Sequence, residues 1–138
     1  MRLWFVLCCC LLLTLPCRAV EVVVHAAVTD TQLSTAQLRA IFTMRQTRWS
    51  DGQSIQVLVL ASDHELHQAF TRKFLKMFPY QLDAIWHRQR YSGIGGSPLL
   101  LASVDELRTA LSQTPGAIGY LPAGTGTAEL KVVTPYEN

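Results

Sequence analysis

The fold this chain predicts is α/β: a three-layer sandwich with helices on both faces of a mostly parallel or mixed sheet. Three observations predict it. Strand-like and helix-like segments alternate along the sequence, three helix starts carry a Ser followed three residues later by Gln or Glu, and the first strand is apolar at almost every position. A strand covered on one face alternates apolar with polar residues, whereas one covered on both faces reads as a continuous apolar run.

Each element follows in order. Val22, Val23, Val24, Ala26, Ala27 and Val28, interrupted only by His25, form the first strand. Ser34 with Gln37 completes a capping box, in which the serine hydroxyl and the glutamine side chain each satisfy an orphan backbone N–H. Leu33 and Leu38 stand at staple positions around it, and the helix buries Leu38, Ile41 and Phe42. Asp51-Gly52 makes a turn into a second strand, Ile55 to Leu60. Ser62 with Glu65 reads as a second capping box, opening a helix with an apolar face of Leu66, Phe70, Phe74 and Met77. Pro79 suits the first turn of the next helix, whose inner face is Leu82, Ile85, Trp86 and Gln89. A short strand at Leu99 to Leu101 leads to a third box, Ser103 with Glu106, and to a helix burying Val104, Leu107 and Leu111. That helix stops before Pro115-Gly116, and Ile118 to Leu121 and Leu130 to Val133 supply the last strands.

The start of the chain points to export. Arg2 precedes an apolar run from Leu3 to Leu15 that is too short for a comfortable membrane span, and Cys17-Arg18-Ala19 offers a cleavage site before Val20. Residues 1–19 are therefore expected to be a signal peptide and residues 20–138 a single domain. The 4 cysteines all fall in the leader, so no disulfide framework is expected. Of the 12 Lys and Arg, Arg2 and Arg18 lie there too, which leaves the domain's basic residues in balance with its 10 Asp and Glu. A balanced domain with dispersed cations offers no footprint for nucleic acid or an anionic membrane.

Two stretches carry a family resemblance: Leu33 to Gly52, reading LSTAQLRAIFTMRQTRWSDG, and Thr114 to Pro122, reading TPGAIGYLP. They resemble the signature of one lobe of the phosphate-binding proteins that serve ABC transporters in the periplasm. In that family the first stretch reads approximately as Leu-Ser, a helix ending Ile-Phe, then Gly-Lys and a Trp. The second matches the family's Pro-Gly-Ala-Ile-Gly-Tyr strand entry. The resemblance covers Val22 to Pro122 and implies one lobe of a type II periplasmic binding protein. A complete two-lobed protein needs at least twice this length.

In open α/β sheets ligands sit beyond the carboxyl ends of strands, where helix N-termini offer free N–H groups to anions. The matching junction is Ala61, Ser62, Asp63, His64 and Glu65. The family's turn carries an Arg and then Ser-Gly-Thr; here Ala61 stands at the Arg position and Glu65-Leu66-His67 at the hydroxyl-rich one. Ser62 and Asp63 remain as candidate ligand contacts. The loop with Gly93, Gly95, Gly96 and Ser97 is the second candidate, because glycines let a backbone cradle an oxyanion. Arg88 and Arg90 flank it, with a solvated helix face as their plainer reading.

His64 and His67 are three apart, not the four that the metalloprotease motif needs, and read as solvated, while His25 and His87 read as structural. No catalytic triad is recognisable, so no enzyme, metal or cofactor is expected. Trp49 reads as a lid on the sheet edge, with Arg45 and Arg48 as solvated charges or a docking surface, and Tyr120 as an inward residue with a bonded hydroxyl. Two functions follow. One is an exported solute-binding-type protein taking phosphate or a similar oxyanion weakly for uptake or sensing. The other is a lobe without ligand that contacts an envelope transporter, a sensor or a second copy of itself.

Overall fold

The computed structural model describes residues 19–93 and 96–137. The expected signal segment lies outside the described residues except for its last position, and so does Gly95 of the glycine loop. Among the described residues no helix is long and apolar enough to cross a membrane.

The elements run β1 (Val20–His25), β2 (Gln32–Ser34), α1 (Thr35–Phe42), β3 (Gln56–Val59), α2 (Glu65–Phe70), a π-helical segment (Thr71–Leu75), α3 (Pro79–Ser92), β4 (Leu99–Leu100), α4 (Val104–Gln113), β5 (Ala117–Pro122), β6 (Leu130–Val132) and β7 (Thr134–Tyr136). The main sheet is mixed, in the order β4-β3-β5-β1-β6. β3 is parallel to both β4 and β5, whereas β1 is antiparallel to β5 and β6. The continuous apolar run of β1 thus marks burial, not parallel pairing: Val20, Val22, Val23 and Val24 are all buried in a strand flanked on both sides. β2 and β7 form a separate two-stranded parallel pair, which no alternation in so few residues announces.

Adjacent residues of β5 show the three layers. Successive side chains of a strand point to opposite faces. Tyr120 stacks on Phe70 of α2 at 4.4 Å between ring centres, while the neighbouring Gly119 backs onto Leu111 of α4. Phe42 of α1 lies 4.6 Å from Phe70, and Trp86 of α3 donates its indole N–H to the Phe42 carbonyl at 2.7 Å. Three helices therefore cover one face and α4 the other, as right-handed crossovers from β3 out to β4 and back to β5 require.

The two stretches that carry the resemblance meet in space. Trp49 is buried and donates its indole N–H to the Gly116 carbonyl at 3.0 Å; the Gln56 N–H reaches the same oxygen at 3.1 Å. Gly116 has φ 81°, and a Cβ there would stand 2.3 Å from the Ser54 carbonyl oxygen, so only glycine fits. Both motifs serve the frame that joins α1, β3 and β5.

Two local expectations need correction. Ser62 does not cap α2. A turn closed by His64 N–H to the Ala61 carbonyl delays the helix, and His64 caps it by accepting the Leu66 N–H on Nδ1 at 3.1 Å. The long helix expected from Ser62 to Met77 is instead six residues of α-helix followed by the π-helical segment, which ends at Lys76 in a left-handed conformation (φ 53°). By contrast, Ser34 and Gln37 form the full capping box, and Ser103 accepts the Glu106 N–H at 3.1 Å.

Candidate functional site

Beyond the carboxyl end of β3 the chain opens into a cleft of about 290 Å³, lined by Val59 to Ser62, Asp83, Trp86 and Arg90 of α3, and Pro98 and Leu100 beside β4. This is where the sheet topology places a ligand. Of the candidate ligand contacts named from the sequence, only Ser62 lines it among the described residues, with Ala61 beside it and Arg90 at its edge. Its hydroxyl lies 2.7 and 2.6 Å from the two carboxylate oxygens of Asp83, so its single proton is shared between them. The donor that an anion would use is already held by a carboxylate.

Magnitudes show what this does to an incoming anion. A hydrogen bond from a hydroxyl to a charged group contributes about 1.5–3 kcal/mol. Two like charges 4 Å apart repel by about 4 kcal/mol at an effective dielectric of about 20. Arg90 supplies one compensating charge from an exposed position, so the corner is close to electrically balanced before any ligand arrives. Helix α2 adds little, being only six residues long with Glu65 in its first turn.

Behind the corner lies a buried polar chain. The Leu60 N–H donates to the Tyr120 hydroxyl at 2.8 Å, and that hydroxyl meets His67 Nδ1 at 2.5 Å. Nδ1 is best assigned as acceptor of the tyrosine proton, because the reverse assignment strands that proton as well. Nε2 then carries a hydrogen with no partner among the described residues. Burial pulls the His67 pKa down from 6.5 to about 4, against an upward pull from nearby Asp83 and with a smaller downward push from His64. Burial likewise raises the Tyr120 phenol above its ordinary range. Tyr120 is inward and bonded as expected, but His67 is a core residue and not a solvated one: at the third position of α2 its ring turns toward Trp86 and Tyr120.

The remaining candidates stand apart. Asp63 is exposed and does not line the cleft. Gly93 ends α3 in a left-handed turn (φ 65°), a helix-stop role that explains its glycine without a ligand. Gly96 and Ser97 are exposed and outside the cleft lining. His87 packs edge-on against Tyr91 at 4.7 Å, and Arg48 donates to the Gly52 carbonyl at 2.9 Å. Asp83 escaped the sequence reading: it sits 21 positions from Ser62, on a different helix, where a lone carboxylate gives no local signal. Among the described residues no three His, Cys, Asp or Glu side chains gather as a metal site.

An α/β lobe, with a cleft beyond its parallel strands, is the class of module that fold and site define. No family model matches the chain, and no curated protein matches it either. Solved structures do. The fold is similar to an ABC-type phosphate transport receptor from Vibrio cholerae (TM-score 0.58, 16% identity, 84% of this chain and 46% of that one). It is also similar to PstS from Borrelia burgdorferi (0.63, 15%, 85% and 47%). A putative phosphate ABC transporter substrate-binding protein from Clostridium perfringens, solved with bound phosphate, matches comparably (0.58, 15%, 84% and 44%). The chain spans under half the length of each. At these identities the likeness establishes the fold, and it agrees with the single-lobe resemblance carried by the two motifs.

Proposed function

We propose that this chain is an exported, single-lobe solute-binding-type protein of the phosphate-transport kind, with a leader at residues 1–19 and one domain at residues 20–138. It works in the cell envelope, in uptake or sensing, and takes phosphate or another small oxyanion weakly at the Ser62 corner. The observation that carries this reading is the cleft at the carboxyl end of β3 with Ser62 held by Asp83. The position supports anion binding; the carboxylate supports its weakness.

A second reading has its own observation. Leu99 and Leu100 are 56% and 62% exposed on β4, the outer strand of the sheet, and Leu100 borders the same cleft. Exposed leucines on a sheet edge suit contact with another protein, whether a transporter, a sensor or a second copy.

Thermal shift with phosphate, sulfate and a carboxylate decides between the two. Ligand at about ten times its dissociation constant adds roughly 1.4 kcal/mol, a shift of several degrees for a domain of this size. The expected result is a small rise with millimolar phosphate, a larger one in Asp83→Ala, where Ser62 is freed and the repelling charge removed, and loss of that gain in Ser62→Ala/Asp83→Ala. A flat response from both the natural chain and Asp83→Ala removes the solute-binding reading and leaves protein contact.

A further inference from the structure

On the other side of α3, Arg39, Thr43, Arg45, Lys76, Met77, Gln81, Ile85 and Gln89 line a groove of about 560 Å³. It shares no residue with the Ser62 cleft. Its lining contains three cations and no carboxylate. Arg39 is anchored through Nε to the Leu75 carbonyl at 2.6 Å, and Arg45 through Nε to the Thr43 hydroxyl at 3.2 Å. Both guanidinium groups are thereby oriented, and among the described residues neither has a carboxylate within ion-pairing distance. Among the described residues Lys76 reaches only Glu137, at 3.8 Å between two exposed side chains, a pairing too loose to neutralise it.

A fourth polar group completes the groove. Gln89 donates its amide nitrogen to the Thr43 carbonyl at 2.6 Å, which fixes the orientation of the amide. Its Oε1 is then buried without a hydrogen-bond donor among the described residues. A buried unpaired acceptor is unusual and leaves a polar oxygen uncompensated beside the cations. The backbone also departs from its preferred geometry here. Lys76 holds a left-handed conformation that glycine would adopt more easily, and so does Met44, next to Thr43 and Arg45. Strain of this kind is retained where the surroundings fix a residue in place.

We propose that this groove is a second anion site, built for a phosphate-type oxyanion carried on a small polar molecule. Arg39, Arg45 and Lys76 take the charge, with the two guanidinium groups offering paired N–H donors to the oxygens. The volume lies in the range of small-molecule sites, about 300–1,000 Å³, and exceeds what inorganic phosphate fills. The groove thus favours a phosphate ester over the free ion.

The test is calorimetric titration with inorganic phosphate, glycerol 3-phosphate and uncharged glycerol, on the natural chain and on Arg45→Gln/Lys76→Gln, Gln89→Glu and Ser62→Ala. Both cations of the double variant are exposed, so its fold is expected to survive, as circular dichroism would verify. Glycerol 3-phosphate is expected to bind more tightly than phosphate, with affinity falling as salt rises. The double variant should weaken it by about tenfold or more. Gln89→Glu, which places a negative charge in a side chain of nearly the same shape, should abolish it, and Ser62→Ala should leave it unchanged. Absence of glycerol 3-phosphate binding overturns the proposal, as does binding that survives both groove variants. Loss in Ser62→Ala alone would assign the anion to the corner and uphold only the weaker site. Equal affinity for the ester and the free ion would overturn the preference for a carrier.

Discussion

Helix α3 separates two recesses that treat negative charge in opposite ways. On one side Asp83, Trp86 and Arg90 border the Ser62 corner, where the hydroxyl donor is bonded to a carboxylate and the arginine balances it. On the other side Gln81, Ile85 and Gln89 border a groove with three cations and an unpaired amide oxygen. The corner stands where the topology leads one to look for a ligand, and its polar groups are already satisfied. The groove stands away from the strand ends, and its polar groups are not. Position in a fold therefore predicts where a site can form, while the state of the hydrogen bonds decides whether one is ready.

The largest expected effect tests what lies behind the corner. His67 is neutral when folded down to about pH 4, whereas in the unfolded chain it takes a proton near 6.5. Its folded pKa is the lower one, so the unfolded state binds more protons between those values. Stability is complete above 6.5 and falls as pH drops toward 4, by roughly 3 kcal/mol for a change of this size. Urea midpoints between pH 7.5 and 4 should show that slope, and His67→Leu should flatten it. A slope that persists in the variant would move the acid sensitivity elsewhere.

Somewhat smaller is Tyr120→Phe, which leaves the buried Leu60 N–H and His67 Nδ1 without the hydroxyl that joins them. A loss of roughly 1–3 kcal/mol in chemical denaturation is expected, not additive with His67→Leu because the two share one network. Glycerol 3-phosphate binding at the groove should be untouched by either change. The smallest effect has the opposite sign. Lys76→Gly relieves a left-handed lysine and should stabilise the chain by about 1 kcal/mol or less, while weakening groove binding. A variant that is both more stable and a poorer binder would mark Lys76 as kept for its charge. Equal loss of both would mark it as structural.

Much of the frame was legible in the sequence. Local chemistry announced the Ser34 and Ser103 caps, the proline at the start of α3, the inward Tyr120 and the turn at Gly116, because each depends on a few neighbouring residues. The two family-like stretches were legible as well, and they turn out to hold each other through Trp49 and the Gly116 carbonyl. The π-helical segment was hidden, since Phe70, Phe74 and Met77 keep helical spacing whether the turn is α or wider. So was the Ser62 bond to Asp83, which outcompeted a capping role that Ser62 and Glu65 suggested by spacing alone. The groove was hidden for a related reason: Arg39, Lys76 and Gln89 come from three segments, and none of them alone signals the others.

The placement of β1 has a kinetic consequence. It lies between β5 and β6, and its first residue, Val20, pairs with Pro122. Pairings between distant parts of a chain carry a loop-closure cost that local helices escape, and they slow folding. The helices can form as the chain emerges, but the sheet that anchors them stays open until β5 has been made. Its closing step then joins the first strand to the last fifth of the sequence, and until that moment the buried valines of β1 have no partners to cover them.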